Sequence, residues 1–359
     1  MIEKRERIAS FDALRVYACF AVMAYHAQFP APGFSGLSVF FVMSGFLSVY
    51  NHFGDGETAQ LGLRGSLRFS LGKIKKLYPL HLVMMAYPFS TQLYRMLHGL
   101  FSPMHFFTNL AANALLVHAW IPLTDYYFSF NVPSWYLSVM MFLYFMLPFI
   151  LRCMEKYRSR RTAFMTALVV FLLQIVSSVA AEKIYIAAAK PDPTALESFY
   201  QWFVQVFPLY RLGDFAIGAN LAYFFLYGEN RSLSQTRATV MEVLAILLVV
   251  PAQLAYLHAV KNSTCIFLVS SAALVYTFAL NEGYISKILT NRVIKHFAAL
   301  SADIYLIHFQ VIIIAIELLH LPFGTGAQKA FFLCFVFGAT YLLALLTGAI
   351  RKKYRRLCN

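Results

Sequence analysis

Asp12-Ala13-Leu14-Arg15-Val16-Tyr17-Ala18-Cys19-Phe20-Ala21-Val22-Met23-Ala24-Tyr25-His26 is an apolar run that carries a guanidinium and an imidazole eleven positions apart. On an α-helix, eleven steps of about 100° return a side chain to nearly the same face, roughly 16 Å further along the axis. One face of one helix thus holds Arg15 near one end and His26 near the other. Ionisable groups are costly in lipid, so within a membrane helix they face a bundle interior or a cavity and mark a functional path. Whether the helix is a membrane helix is decided by the rest of the chain.

Of 359 residues, 60% are hydrophobic and 13% charged, with a mean hydropathy of +0.63. Soluble domains average about 25% charged residues, so the composition is that of an integral membrane protein. The net charge of +14 raises the question of nucleic acid. The cations sit in short clusters between apolar runs, however, which is the pattern of the positive-inside rule and argues for a lipid partner and no nucleic acid. Cys19, Cys153, Cys265, Cys334 and Cys358 have no paired short spacing, and the histidines show no ligand spacing on one helix face. Neither a disulfide framework nor a metal site is supported. Lys4, Arg5 and Arg7 before the first run resemble a signal peptide. Cleavage after that run would discard Arg15, so a retained signal anchor is expected.

The expected fold class is all-α: a polytopic helical bundle of about ten spans within a single membrane domain covering residues 1–359, with no fused soluble domain. The candidate spans are Phe11–Pro30, Leu37–Asn51, Leu77–Leu97, Pro133–Leu151, Ala163–Ala181, Trp202–Leu226, Val240–Val260, Ser263–Leu280, Phe297–Leu318 and Gln328–Ile350. With both termini cytoplasmic, 23 Lys and Arg fall inside and 5 outside (Arg95, Lys183, Lys190, Lys261 and Lys329), while Arg15 and Arg211 lie within spans. That bias sets the expected orientation in the cell membrane. Met104–Trp120 is apolar enough to span but carries Asn109, Asn113 and His118, and counting it would move Arg152–Arg161 outside. It is expected to be re-entrant or interfacial, buried against protein, with an eleventh span as the alternative.

Six local patterns occur in fixed order: Phe11-Asp12-Ala13-Leu14-Arg15 with His26; Phe40-Phe41-Val42-Met43-Ser44-Gly45-Phe46-Leu47; Lys73-Ile74-Lys75-Lys76-Leu77-Tyr78-Pro79-Leu80; Pro133-Ser134-Trp135-Tyr136-Leu137-Ser138-Val139; Arg211-Leu212-Gly213-Asp214-Phe215-Ala216-Ile217-Gly218; and Leu300-Ser301-Ala302-Asp303-Ile304-Tyr305-Leu306-Ile307-His308. Together they resemble the acyltransferase-3 family of integral membrane acyltransferases, the first matching that family's basic-residue-x10-His signature. The resemblance implies transfer of an acyl group, often acetyl, from cytoplasmic acyl-CoA to a hydroxyl of an extracytoplasmic carbohydrate, a surface or secreted glycan. Trp135, Ser138, Tyr305 and Asp214 are the candidate substrate-binding residues. One departure stands out. Members commonly carry Glu after the Trp-x-Leu-Ser-Val run, and here that position is Met140.

The residues suit that chemistry on their own terms. An ester-forming transfer needs a base for the acceptor hydroxyl, and His26 is the candidate, since imidazole titrates nearest neutrality; a hydrogen-bonded packing histidine is the plain alternative. Arg15 offers two parallel donors to a phosphate of acetyl-CoA or another acyl-CoA, or makes an i,i+3 pair with Asp12. Lys73, Lys75 and Lys76 at a helix start suit the three phosphate groups of CoA, although positive-inside bias also explains them. Arg211 and Asp214 share a helix face, with a buried ion pair as the plain reading, and Gly218 permits close helix approach. Ser301, Tyr305 and His308 form an i, i+4, i+7 stripe, with Asp303 on another face. Counted at about 1.5 Å per residue from the inner boundary, His26, Arg211 and His308 fall at similar depth. The first, sixth and ninth spans are therefore expected to wall one cavity, with His26, Arg15, His308 and Arg211 as the catalytic set. A transporter or glycan flippase, or a catalytically silent scaffold prompted by Met140, are the competing readings.

Overall fold

The structure, a computed structural model, describes residues 5–188, 198–228, 233–258 and 264–358. Lys4, Lys190, Arg231 and Lys261 of the charge argument lie outside them, as do the end of the seventh expected span and the first residue of the eighth. The described residues contain helices and no strand: α1 Phe11–His26, α2 Gly33–His52, α3 Leu63–Ile74, α4 Tyr78–Met84, α5 Ala86–Leu97, α6 Pro103–Ala114, α7 Trp135–Met154, α8 Arg160–Ala188, α9 Pro208–Leu226, α10 Gln235–Leu247, α11 Val249–His258, α12 Leu268–Leu280, α13 Arg292–Glu317 and α14 Gly326–Cys358, with shorter turns between them. The protein is an all-α helical bundle.

Among the described residues, six helical stretches are long and apolar enough to cross a membrane: Gly33–His52, Val132–Met154, Arg160–Ile184, Gln235–His258, Arg292–Glu317 and Gly326–Lys353. The other four expected spans are carried by shorter or interrupted segments. Helix α1 has 16 residues. The segment at 77–97 breaks at Met85, where the ring of Pro88 meets the carbonyl position of Met84 and no N–H is available to continue the ladder. Pro251 acts in the same way on Leu247, so α10 and α11 meet at a break within one long stretch. The sixth expected span starts as a π-turn, Trp202–Val206. It is interrupted at Phe207, whose ψ of 122° is the extended conformation forced on a residue before proline.

Burial separates centre from periphery. The most apolar part of Gly33–His52 is 72% buried and that of Arg292–Glu317 61%, whereas Arg160–Ile184 and Gln235–His258 reach only 17% and 11%. A helix apolar all round and buried is central, so α2 is the hub, with α9, α1 and α12 packed on it. The α2–α9 crossing is glycine-mediated. A Cβ on Gly45 would fall on the Phe215 carbonyl, and one on Gly218 on the Val42 carbonyl. Both obstacles are backbone, which cannot rotate away. Gly45→Ala and Gly218→Ala are therefore expected to cost about 1–3 kcal/mol each. Gly348→Ala, whose Cβ would meet only Leu300 at 3.8 Å, is expected to be neutral in the same thermal-unfolding measurement.

The polar face of the segment at 104–120 is buried against protein, with Asn109, Asn113 and His118 all buried, while Met104, Phe107 and Leu115 are exposed. Helix α6 is 12 residues long, too short to cross. Asn113 Nδ2 donates to Asn109 Oδ1 (2.9 Å) and to Ser129 Oγ (2.7 Å), and His81 Nε2 donates to the Asn113 carbonyl at 3.1 Å. The chain then turns back at Leu116, and Trp202 Nε1 donates to the Ala119 carbonyl at 2.9 Å.

Candidate active site

Helix α1 is apolar on the face that carries Cys19, Val22 and Met23, and α13 answers with Ile304, Ile307, Val311 and Ile312 in one buried cluster. That packing aligns the two helices and brings His26 against His308. Nδ1 of His26 and Nε2 of His308 are 2.8 Å apart, with ring planes 6° apart. On its other side, His308 Nδ1 lies 2.7 Å from the Tyr305 carbonyl oxygen. A carbonyl only accepts, so His308 Nδ1 carries a proton. His308 is 1% exposed, and burial opposes a charge, so its Nε2 is a bare acceptor and His26 Nδ1 donates to it. The chain of bonds fixes the His26 tautomer with its lone pair on Nε2, the form a general base needs. The plain reading of a packed, hydrogen-bonded histidine thus holds for one nitrogen of the ring and leaves the other for chemistry.

Two cavities lie toward opposite ends of α1. The first, about 530 Å³, is lined by Arg15, Lys73, Lys76, His52, Met140 and Tyr305, among others. Arg15 stands 3.9 Å from Asp12, whose carboxylate also takes Arg7, so the ion pair and exposure to the cavity coexist. Lys73 Nζ donates to His52 Nε2 at 3.1 Å, and burial pulls its pKa below that of an ordinary lysine. Removing that desolvation penalty with an anion would be favourable. The second cavity, about 760 Å³, is lined by His26, Gln28, Gln253, Phe309 and Lys329, among others. Between the two stand Tyr305, which faces the first cavity, and His308, whose ring centroid is 5.8 Å from Tyr305 and 5.1 Å from His26. The wall is a few side chains thick.

Not every candidate residue comes to these cavities. Lys75 faces a separate apolar cavity of about 450 Å³ with Tyr78 and Met141, because it lies on the opposite side of the turn from Lys73 and Lys76. Trp135 is buried against Phe41, and Ser138 Oγ donates to the Leu116 carbonyl, so both tie α7 to its surroundings. Arg211 and Asp214 line neither cavity. The guanidinium donates to the carbonyls of Gln205 (2.8 Å) and Val204 (2.8 Å), to Thr264 Oγ1 (2.8 Å) and to Asp214 (2.7 Å), while Asp214 also takes Gln174 Nε2 at 2.6 Å. Depth along a helix does not fix the direction of a side chain about it. The expected wall of first, sixth and ninth spans is therefore corrected: α1 and α13 meet as expected, but the first cavity is completed by α2 and α7 in place of α9. Asp303 takes Arg351 from α14, away from both cavities.

Residues that sequence reading passed over as site candidates join Met140 in two helical stripes. Ser44, Ser48 and Asn51 on α2, at i, i+4, i+7, and Tyr136, Met140 and Tyr144 on α7, at i, i+4, i+8, all line the first cavity. The α2 stripe is polar and was visible in the sequence. The α7 stripe is apolar at its middle, at Met140.

The family model described as an acyltransferase domain, that of acyltransferase-3, matches residues 8–349. No curated protein and no solved structure matches the chain.

Proposed function

The chain belongs to the acyltransferase-3 family and is a membrane acyltransferase, and from that premise we propose that its donor is acyl-CoA, acetyl-CoA in the simplest case, taken from the cytoplasm, and that its acceptor is a hydroxyl of an extracytoplasmic glycan. The observation that carries this reading is the pair of cavities toward the two ends of α1, one bordered by Arg15, Lys73 and Lys76 and the other by His26. The cations suit the phosphates of CoA, with the acyl thioester directed toward Tyr305. The acceptor enters the second cavity; once the thioester has passed the Tyr305–His308 wall to reach it, the acceptor's hydroxyl oxygen attacks the thioester carbonyl carbon while His26 Nε2 takes the hydroxyl proton. The C–S bond then breaks, the ester leaves with the acceptor, and the CoA thiolate takes the proton back from His26. His308 acts through His26 and is a positioning residue. Arg211 and Asp214 hold the fold of α9.

Two measurements test the reading. Membranes with and without the protein are supplied with radiolabelled acetyl-CoA, and surface glycans are examined for an acyl-sized mass increment; label on glycan only where the protein is present is the expected result. Proteoliposomes that accumulate a solute without consuming acetyl-CoA would establish the transporter instead. The donor cavity has its own test. Charged hydrogen bonds are worth about 1.5–3 kcal/mol, so Lys73→Ala with Lys76→Ala should raise KM for acetyl-CoA by at least about tenfold, with kcat little changed. Lys75→Ala, on the other cavity, serves as the comparison; an equal effect there would show that only general positive charge matters.

A further inference from the structure

Helix α1 closes in a tight left-handed turn beside His26. The Gln28 amide donates to the Tyr25 carbonyl at 3.1 Å and the Phe29 amide to the Ala24 carbonyl at 3.0 Å. This pairing puts Gln28 at φ 62°. Glycine is the usual occupant of that position, and after α5 the same turn is made by Gly99 at φ 73°. A residue with a Cβ is disfavoured there by about 1–2 kcal/mol. Leu116 adopts the same conformation after α6, but its side chain is 2% exposed in the core, and packing offsets the strain. Gln28 has no such compensation. It is exposed, its carboxamide makes no hydrogen bond among the described residues, and it lines the second cavity next to the His26 base.

The rest of that cavity gives the carboxamide a use. Gln253 on α11 lines it too, together with the rings of Phe29 and Phe309. A carboxamide places a donor and an acceptor side by side, the arrangement that neighbouring hydroxyls on one ring can bond in both senses. Aromatic faces suit the apolar C–H surface of the same ring. A few convergent polar groups on an apolar lining fix the orientation of a small ligand.

We propose that Gln28 is a specificity-determining residue of the acceptor site: its backbone is held in an unfavourable conformation so that its carboxamide, with that of Gln253, reads the hydroxyls of a carbohydrate ring and presents one of them to His26. The proposal rests on the carbohydrate reading of the acceptor given above. The test uses full-length protein in nanodiscs with radiolabelled acetyl-CoA and methyl β-glycosides of glucose, galactose and mannose as acceptors. Wild-type protein labels at least one of them. Gln28→Gly, which keeps and relaxes the turn, raises KM for that glycoside about tenfold or more, leaves KM for acetyl-CoA within twofold, and melts at the wild-type temperature or above. Gln28→Asn, which tolerates the left-handed turn and keeps a carboxamide, falls between. A glycoside KM unchanged in Gln28→Gly overturns the proposal and leaves the acyltransferase reading standing, with Gln28 a mere helix terminator. Wild-type protein that labels none of the three overturns the carbohydrate reading and this inference with it.

Discussion

Replacing His26 by alanine is expected to lower acyl transfer by about 10²–10⁴-fold, the usual contribution of a positioned general base, with folding intact. The imidazole is only part-buried at the edge of its cavity, and among the described residues its one hydrogen bond is to His308. The informative comparison lies one residue further. His308→Ala removes the acceptor that holds the proton on His26 Nδ1, so His26 loses both its orientation and its tautomer. Loss of such an orienting partner typically costs about 10–100-fold. His308→Gln restores a carbonyl oxygen to that position and should recover much of the rate, whereas His308→Lys offers only donors and should not. A merely packing role for His308 would rank the variants by volume, with glutamine and lysine alike. If His26→Ala retains wild-type kcat, the base is elsewhere. Thermal unfolding measured on the same samples separates loss of chemistry from loss of protein.

How much of this was legible beforehand depends on which coordinate of a residue is asked for. Position along a helix is written in the chain: the eleven-residue spacing of Arg15 and His26, and the depth of His308, pointed to α1 and α13 as neighbours, and His26 and His308 are 2.8 Å apart, but one shared cavity was expected and Arg15 and His26 line separate ones. Direction about a helix is set by neighbours that the sequence does not name. Arg211 has a depth similar to that of His26, but the carbonyls exposed by the break before Pro208 draw its guanidinium away, and that break is a local consequence of proline at 208. Lys75 differs from Lys73 and Lys76 for the same azimuthal reason. The apolar runs were plain, yet Pro88 and Pro251 divide two of them into shorter helices. Glu242 is a further case: it is 0% exposed and accepts the Ile285 amide at 3.0 Å, capping the helix turn at 284–289 from a distant element. Nothing within its own run of sequence announces that partner.

Arg211→Ala provides the largest expected loss of stability and separates a structural from a chemical arginine. The side chain is 1% exposed, and it holds Asp214, the π-turn carbonyls of Val204 and Gln205, and Thr264 in one network. Removing one member of a buried ion pair strands the other, at a cost of about 3–5 kcal/mol. Two carbonyls would lose this donor as well, and α9, which packs on the central α2, would lose its anchor at the start. Melting of Arg211→Ala should therefore fall well below wild type, and its activity should track the folded fraction and return on cooling. A paired replacement, Arg211→Met with Asp214→Leu, removes both charges and should recover part of the stability, because no buried charge is then unpartnered. Asp214→Asn alone should be the milder single change, since the amide oxygen still accepts from Arg211. A variant that melts normally but has lost turnover at every temperature would return Arg211 to the reacting groups, and the assignment of α9 as scaffold would be wrong.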